Sequence, residues 1–250
     1  MRVTICDSKK ELGRLAAAEG ASYIKAAIEE NGEANVVFVT GKSQVDTLLN
    51  LAKADIDWSC VNVFHLDEFI GLKKDSISSS RYFLQEFFLS HISAVKSYTP
   101  IDSDESRLEK TVGKLNALMA SHRLDVAFIC IGENGHLAFN DPPADFDTRD
   151  PYIVVDLEKR SRRQQVSEGW FRTLDEVPTK AITMSVSEIM RSRHIIVSCP
   201  DQRKAKAVAS CLFDDITVLS PAAALRMSPD CSLYLDRLSS SLVSKDGRTF

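Results

Sequence analysis

Asp125-Val-Ala-Phe-Ile-Cys-Ile-Gly-Glu-Asn-Gly-His-Leu-Ala-Phe-Asn-Asp-Pro-Pro143 is the stretch on which the chain turns. Val126 to Ile131 is an unbroken apolar run, the pattern of a strand buried on both faces of a parallel sheet. It stops at Gly132, and Glu133, Asn134, Gly135 and His136 follow at once. The two glycines let the backbone turn where a side chain would clash. An imidazole and several hydrogen-bonding groups therefore sit just past a strand's carboxyl end, the edge where open α/β sheets bind ligands. The competing reading is a solvated turn carrying a chance histidine.

The flanking chain repeats the pattern. Arg2–Cys6 reads as a first strand and Lys9–Glu30 as a helix ended by Asn31-Gly32. Ala34–Val39 is a second apolar strand, running into Thr40-Gly41-Lys42-Ser43-Gln44 and a helix over Val45–Ala54. A strand, a glycine-containing turn and a helix start together suit a phosphate. A nucleotide P-loop is excluded, because it requires glycine where Val36 stands. Val61–His65 is a third strand, followed by Asp67 and Glu68, adjacent carboxylates that are costly to bury unless paired or used. Capping or salt bridging competes with catalysis there. His65 and Asp67 share a face of an extended strand, but no His-x-x-x-His or Cys/His cluster accompanies them, so no metal site is expected. Helices are expected over Ser76–Ser90 and Ser106–Ser121, and strands over Tyr152–Val155, Ala181–Val186, His194–Ser198 and Cys231–Leu235. Between them, Glu158–Phe171 carries Arg162 and Arg163, either solvated or a phosphate clamp. Lys204 falls in the first turn of a helix beginning near Gln202, where a lysine opposes the dipole unless it faces an anion.

Composition narrows the function classes. The chain has 250 residues, 44% hydrophobic and 26% charged, with a formal net charge of −4. That fits one α/β domain over residues 1–250, with the polar stretch 237–250 as a loose tail. No basic cluster supports nucleic-acid binding, and no apolar run is long enough to span a bilayer. The six cysteines form no C-x-x-C pair, consistent with reduced thiols in the cytoplasm. The expected fold is α/β: a mostly parallel, Rossmann-like open sheet with helices on both faces. Polar clusters after the strands ending at Val39, His65, Ile131 and Ser198 define one pocket.

Two of those clusters carry a resemblance. Leu66-Asp67-Glu68-Phe69-Ile70-Gly71-Leu72 resembles the Asp-Glu-Tyr-Val-Gly-Leu signature of glucosamine-6-phosphate deaminases. Gly132-Glu-Asn-Gly-His-Leu-Ala-Phe-Asn-Asp-Pro resembles their Gly-x-Asp-Gly-His-Ile-Ala-Phe-Asn-Glu-Pro. Weaker similarity runs through Val177-Pro178, Ala181–Met184, Arg203-Lys204-Ala205 and Leu233–Asp236. The resemblance implies a cofactor- and metal-independent aldose–ketose isomerisation coupled to deamination of an aminohexose 6-phosphate. It implies Asp67 as the base at C2 and His136 as the group that assists ring opening. Asn134 and Asp141 would orient and tune that histidine. The Thr40–Gln44 turn and Lys204 would hold the phosphate.

Three departures mark a divergent subgroup. Asn134 replaces the family's aspartate, Asp141 its glutamate, and Gly41-Lys-Ser-Gln its Gly-Gly-Thr-Pro. The family's phosphate arginine falls on Gly169 if Gly169-Trp170-Phe171 is matched to Arg-Phe-Phe, or on Arg162 or Arg163 if a gap is allowed. The sugar stays open between glucosamine and galactosamine. Related 6-phosphogluconolactonases and a non-catalytic sugar-phosphate sensor are the alternatives, and homo-oligomerisation is left open.

Overall fold

The computed structural model describes residues 1–73 and 75–243. Its main sheet has seven strands: β1 (Arg2–Cys6), β2 (Ala34–Phe38), β3 (Val61–His65), β5 (Ser97–Thr99), β6 (Val126–Ile129), β9 (His194–Cys199) and β10 (Cys231–Asp236). They lie in the order β1-β10-β9-β6-β2-β3-β5, and every pairing is parallel. The helices are α1 (Lys9–Asn31), α2 (Val45–Leu51), α3 (Ser80–Phe87), α4 (Leu108–Ser121), α5 (Lys159–Ser167), α6 (Val186–Met190) and α7 (Ala205–Phe213).

Side-chain alternation along the strands builds two cores. Val36, Phe38, Val126 and Phe128 face Leu12, Ala16 and Ile24 of α1, Leu48 and Leu51 of α2 and Phe83 and Leu84 of α3. Val37, Val39, Ala127 and Ile129 face Leu115 and Met119 of α4, Ile189 of α6 and Val208 and Cys211 of α7. A strand with apolar residues at every position belongs between two such layers, as the runs Ala34–Val39 and Val126–Ile131 required.

A second sheet was not legible in the sequence. Three strands, β4 (Asp67–Phe69), β7 (Tyr152–Asp156) and β8 (Lys180–Met184), run antiparallel in the order β4-β8-β7. Asp67 therefore stands on a short strand of its own, opposite Thr183. β5 was missed as well. Several elements are shorter than expected: α2 ends at Leu51, α3 begins only at Ser80, and β6 ends at Ile129. The tail expected to be loose from Arg237 is not loose at its start. Ser239, Ser240 and Val243 are buried, and the Ser239 N–H and hydroxyl bond Asp236. Residues 244–250 lie outside the described residues.

Strand order places the site. The chain builds outward from β2 to β5 in one direction, then returns to β6 on the other side of β2. The loops leaving β2 and β6 diverge there and open a crevice at the carboxyl ends of the strands. Close packing of α1 over this point depends on Gly20, where an added Cβ would fall 2.2 Å from Phe128 Cζ. Phe128 is buried and stacked on Phe38 at 5.1 Å, so it has no room to retreat. Gly20→Ala is expected to destabilise the protein by about 1–3 kcal/mol through overpacking, exceeding the helix-propensity gain of about 1 kcal/mol. Urea unfolding of the variant measures this; an increase in stability would show that the ring yields.

Candidate active site

The crevice is lined from four directions. Val39, Thr40, Gly41 and Ser43 come from the turn after β2, and Asp67 and Phe69 from β4. Ser78, Ser79 and Ser80 enter at the start of α3; Cys130, His136, Ala138 and Phe139 come from the loop after β6. Gln164, Gln165, Glu168, Trp170 and Lys204 complete it. No group of three or more His, Cys, Asp or Glu side chains among the described residues is arranged to hold a metal.

The turn after β2 is held by its own backbone. Gly41 has φ of 121°, a conformation that favours glycine, and its carbonyl accepts from the Gln44 N–H at 2.9 Å. Thr40 Oγ1 lies 3.0 Å from Ser80 Oγ. Of the residues expected at a phosphate, Thr40, Gly41 and Ser43 reach the crevice. Gln44 does not: it is buried and donates to the Ser198 carbonyl, tying the turn to β9. The Lys42 side chain is exposed, with Nζ 5.6 Å from the centroid of the Trp170 ring.

Lys204 ends a single 3-10 turn, Gln202–Lys204, that precedes α7. It is 4% exposed and has no side-chain hydrogen bond or ion pair among the described residues. The side chain lines the crevice, which leaves its ammonium available to an anion bound there.

Asp67 and Glu68 are buried side by side but differ in surroundings. Glu68 pairs with Arg81 Nε at 3.1 Å and does not line the crevice. Asp67 lines it, with one protein partner near its carboxylate, Ser80 Oγ at 3.3 Å. Burial, and secondarily the Glu68 charge, push the Asp67 carboxyl up to about 7, against the Ser80 hydrogen bond. His65 is not part of the site. Its Nε2 accepts the Ile101 N–H at 2.6 Å, and burial together with the Arg81 charge pushes its basicity down to about 3.

His136 faces Asp141 and Ser161. Its Nδ1 lies 3.2 Å from Asp141 Oδ1 and 3.0 Å from Ser161 Oγ, while the Ser161 hydroxyl donates to Asp141. With that hydroxyl proton directed at Asp141, the imidazole Nδ1 is the donor toward this pair. Burial raises the Asp141 carboxyl, but His136, Asn134 and Ser161 outweigh it and hold the group below its ordinary value. Gly132 makes room for the ring, since a Cβ there would lie 2.1 Å from His136 Nε2. Asn140 fixes the loop: its amide donates to the Leu137 and Met184 carbonyls, both at 2.8 Å.

Asn134 makes no hydrogen bond to the imidazole ring among the described residues and acts on the histidine through its backbone and through Asp141. Its Oδ1 accepts the His136 backbone N–H at 3.2 Å, and its amide donates to Asp141 at 2.9 Å and Glu158 at 2.8 Å. A neutral donor suits a position between two carboxylates, where an aspartate would meet like charge on both sides.

Arg162 and Arg163 are not brought to the crevice. The Arg162 guanidinium caps the Leu174 and Val177 carbonyls, and Arg163 is exposed. Sequence reasoning missed Ser80, Ser161, Gln164, Glu168 and Trp170. Ser80, Ser161, Gln164 and Glu168 lie in polar segments with no motif of their own, and Trp170 enters the sequence reading only as part of the Gly169-Trp170-Phe171 match; α3 and α5 packing over the crevice gathers them.

A doubly wound sheet with a carboxylate and an imidazole in a crevice at the switch point defines a class of ligand-binding α/β proteins, and sequence comparison narrows it. A family model described as glucosamine-6-phosphate isomerases/6-phosphogluconolactonase matches residues 7–232. The chain belongs to this family. A glucosamine-6-phosphate deaminase of Lactobacillus delbrueckii subsp. bulgaricus is 26% identical over 243 residues, covering 97% of this chain and all of the relative. One from Streptococcus pneumoniae is 30% identical over 218 residues, 86% of this chain and 89% of the relative. Among solved structures, a monomeric glucosamine-6-phosphate deaminase superposes with a TM-score of 0.88 at 29% identity, covering 97% of this chain and 100% of that one. The 6-phosphogluconolactonase of Trypanosoma brucei superposes with 0.81 at 17% identity, over 97% and 98% of the two chains, a likeness of fold.

The raised Asp67 carboxyl carries a stability cost with a definite sign. Between the ordinary aspartate value near 4 and about 7, the folded state holds this proton more tightly than the unfolded state. Stability therefore falls as pH rises through that window. Asp67→Asn removes the buried charge and is expected to melt higher than wild type at pH 8, with the gap closing at pH 4. A gain of about 1 kcal/mol corresponds to about 2–4 °C in Tm for a chain of this size. Thermal unfolding at both pH values decides it; a variant less stable at pH 8 than at pH 4, relative to wild type, contradicts the assignment.

Proposed function

We propose that this protein is a glucosamine-6-phosphate deaminase, converting glucosamine 6-phosphate and water to fructose 6-phosphate and ammonia. The observation that carries this reading is a buried, basic Asp67 in one crevice with an oriented His136 and the unpaired Lys204. Lys204 and the Thr40–Ser43 turn receive the phosphate. His136 moves a proton between the C1 hydroxyl and the ring oxygen as the sugar opens, a step suited to an imidazole. Asp67 then takes the C2 proton, leaving an enolamine, and returns it to C1. The resulting C2 imine adds water and releases ammonia. Asp67 suits the transfer because general-base efficiency is greatest for a group whose basicity lies near the working pH. Lactone hydrolysis requires no carbon–hydrogen base, so under that reading a buried Asp67 has no task.

The division of labour is tested by C2-proton exchange, followed by NMR in deuterated buffer. Asp67→Asn is expected to lose turnover by roughly 10²–10⁴-fold together with exchange. His136→Gln keeps measurable exchange from substrate that opens spontaneously. Wild-type exchange in Asp67→Asn would move the base elsewhere. Assays for ammonia release on glucosamine and galactosamine 6-phosphates, and for hydrolysis of 6-phosphogluconolactone, identify the substrate.

Lys204→Ala is expected to raise KM far more than it lowers kcat, because the phosphate is held alike in ground and transition states. Steady-state kinetics over a wide substrate range read this directly. An unchanged KM would remove Lys204 from the phosphate site.

A further inference from the structure

Glu68 is fully buried, next to Asp67, and does not line the crevice. Its oxygens are met by donors throughout. Oε1 accepts the backbone N–H groups of Phe69 at 3.0 Å and Ser80 at 3.2 Å. Oε2 accepts the Ser79 hydroxyl at 2.6 Å, the Arg81 N–H at 3.2 Å and Arg81 Nε at 3.1 Å. The carboxylate thus takes up free N–H groups at the first turn of α3, where negative charge is favoured. The same turn carries Ser80, whose hydroxyl reaches Asp67.

We propose that Glu68 is a positioning residue for the catalytic base: it fixes the turn that presents Ser80 to Asp67 and stands beside Asp67 as a second buried carboxylate. This rests on Asp67 being the base, as argued above. Helix capping alone would need only the geometry. The charge adds a second effect, because a neighbouring like charge disfavours a second ionised carboxylate. The other groups around Asp67 do not replace it. Arg81 is engaged with Glu68 and Ser103. His65 is held neutral by burial, and burial likewise keeps the phenols of Tyr98 and Tyr152 protonated. Cys130, Glu168, Lys204 and His136 line the same crevice as Asp67. Of all these charges, Glu68 is the one that raises Asp67.

The pH dependence of kcat/KM separates the two roles. Asp67 works as the carboxylate, so the acid limb reports its ionisation. Glu68→Gln is expected to move that limb toward lower pH by about one unit and to lower the plateau rate, since Asp67 becomes a weaker base. Glu68→Asp retains the charge and is expected to keep the limb near its wild-type position, even with a lower Tm. Ser80→Ala, which removes the hydrogen bond favouring the Asp67 carboxylate, moves the limb the opposite way, to higher pH. A limb unmoved in Glu68→Gln overturns the proposal and leaves Glu68 a helix cap. If Glu68→Gln does not fold, an unmoved limb in Ser80→Ala overturns it instead. Asp67→Asn run alongside keeps the premises apart: C2 exchange surviving there refutes Asp67 as base, whereas its loss with unmoved limbs refutes only the role of Glu68.

Discussion

Two carboxylates buried side by side are the constraint from which the rest of the site follows. Asp67 and Glu68 are adjacent on β4, both nearly inaccessible, and such a pair is unstable unless at least one is fully satisfied. Glu68 is the satisfied one: it holds α3 in place with donors from three consecutive residues, Ser79, Ser80 and Arg81. Asp67 is left with one long hydrogen bond and a raised proton affinity. One fold thus gives two identical functional groups different surroundings: Glu68 anchors α3, and Asp67 faces the crevice with a raised proton affinity.

The imidazole opposite is set by a different device. Its loop turns back on itself, with the Gly132 N–H bonded to the His136 carbonyl at 3.0 Å, and is fastened to β8 through Asn140 and through the Phe139 N–H on Thr183. Thr183 pairs in register with Asp67. The second sheet therefore couples the positions of the two acid–base groups: β4 carries the carboxylate, and β8 holds the loop that carries the histidine. Ala138, in this loop, has φ of 54°, an uncommon conformation for a residue with a side chain and one found where function fixes the backbone.

Most cations around the crevice are committed to partners within the chain. Arg81, Arg162 and Arg203 are committed to Glu68, to backbone carbonyls, and to Asp201 and Glu133. Lys204 lines the crevice, is buried and has no such ion pair among the described residues. Gln44 and Asn134, neutral amides in the two motif loops, act as struts: one ties the turn after β2 to β9, and the other joins Asp141 to Glu158.

The sequence by itself determined the parallel sheet, the positions of the loops after β2 and β6, and the residues Asp67, His136 and Lys204 that line the crevice, with Asp141 behind the histidine. These rest on short-range signals: apolar runs such as Val126–Ile131, glycines at turns, and polar clusters directly after strands. The tertiary structure alone decided the second sheet, because a three-residue strand such as Asp67–Phe69 has no periodicity to read and forms only by pairing with Ala181–Thr183 far along the chain. It also decided that Ser161, rather than Asn134, meets the His136 ring, and that Arg162 serves the chain's own carbonyls. In each case the residue's partner is distant in sequence, and a side chain's task follows from what faces it, which local pattern does not encode.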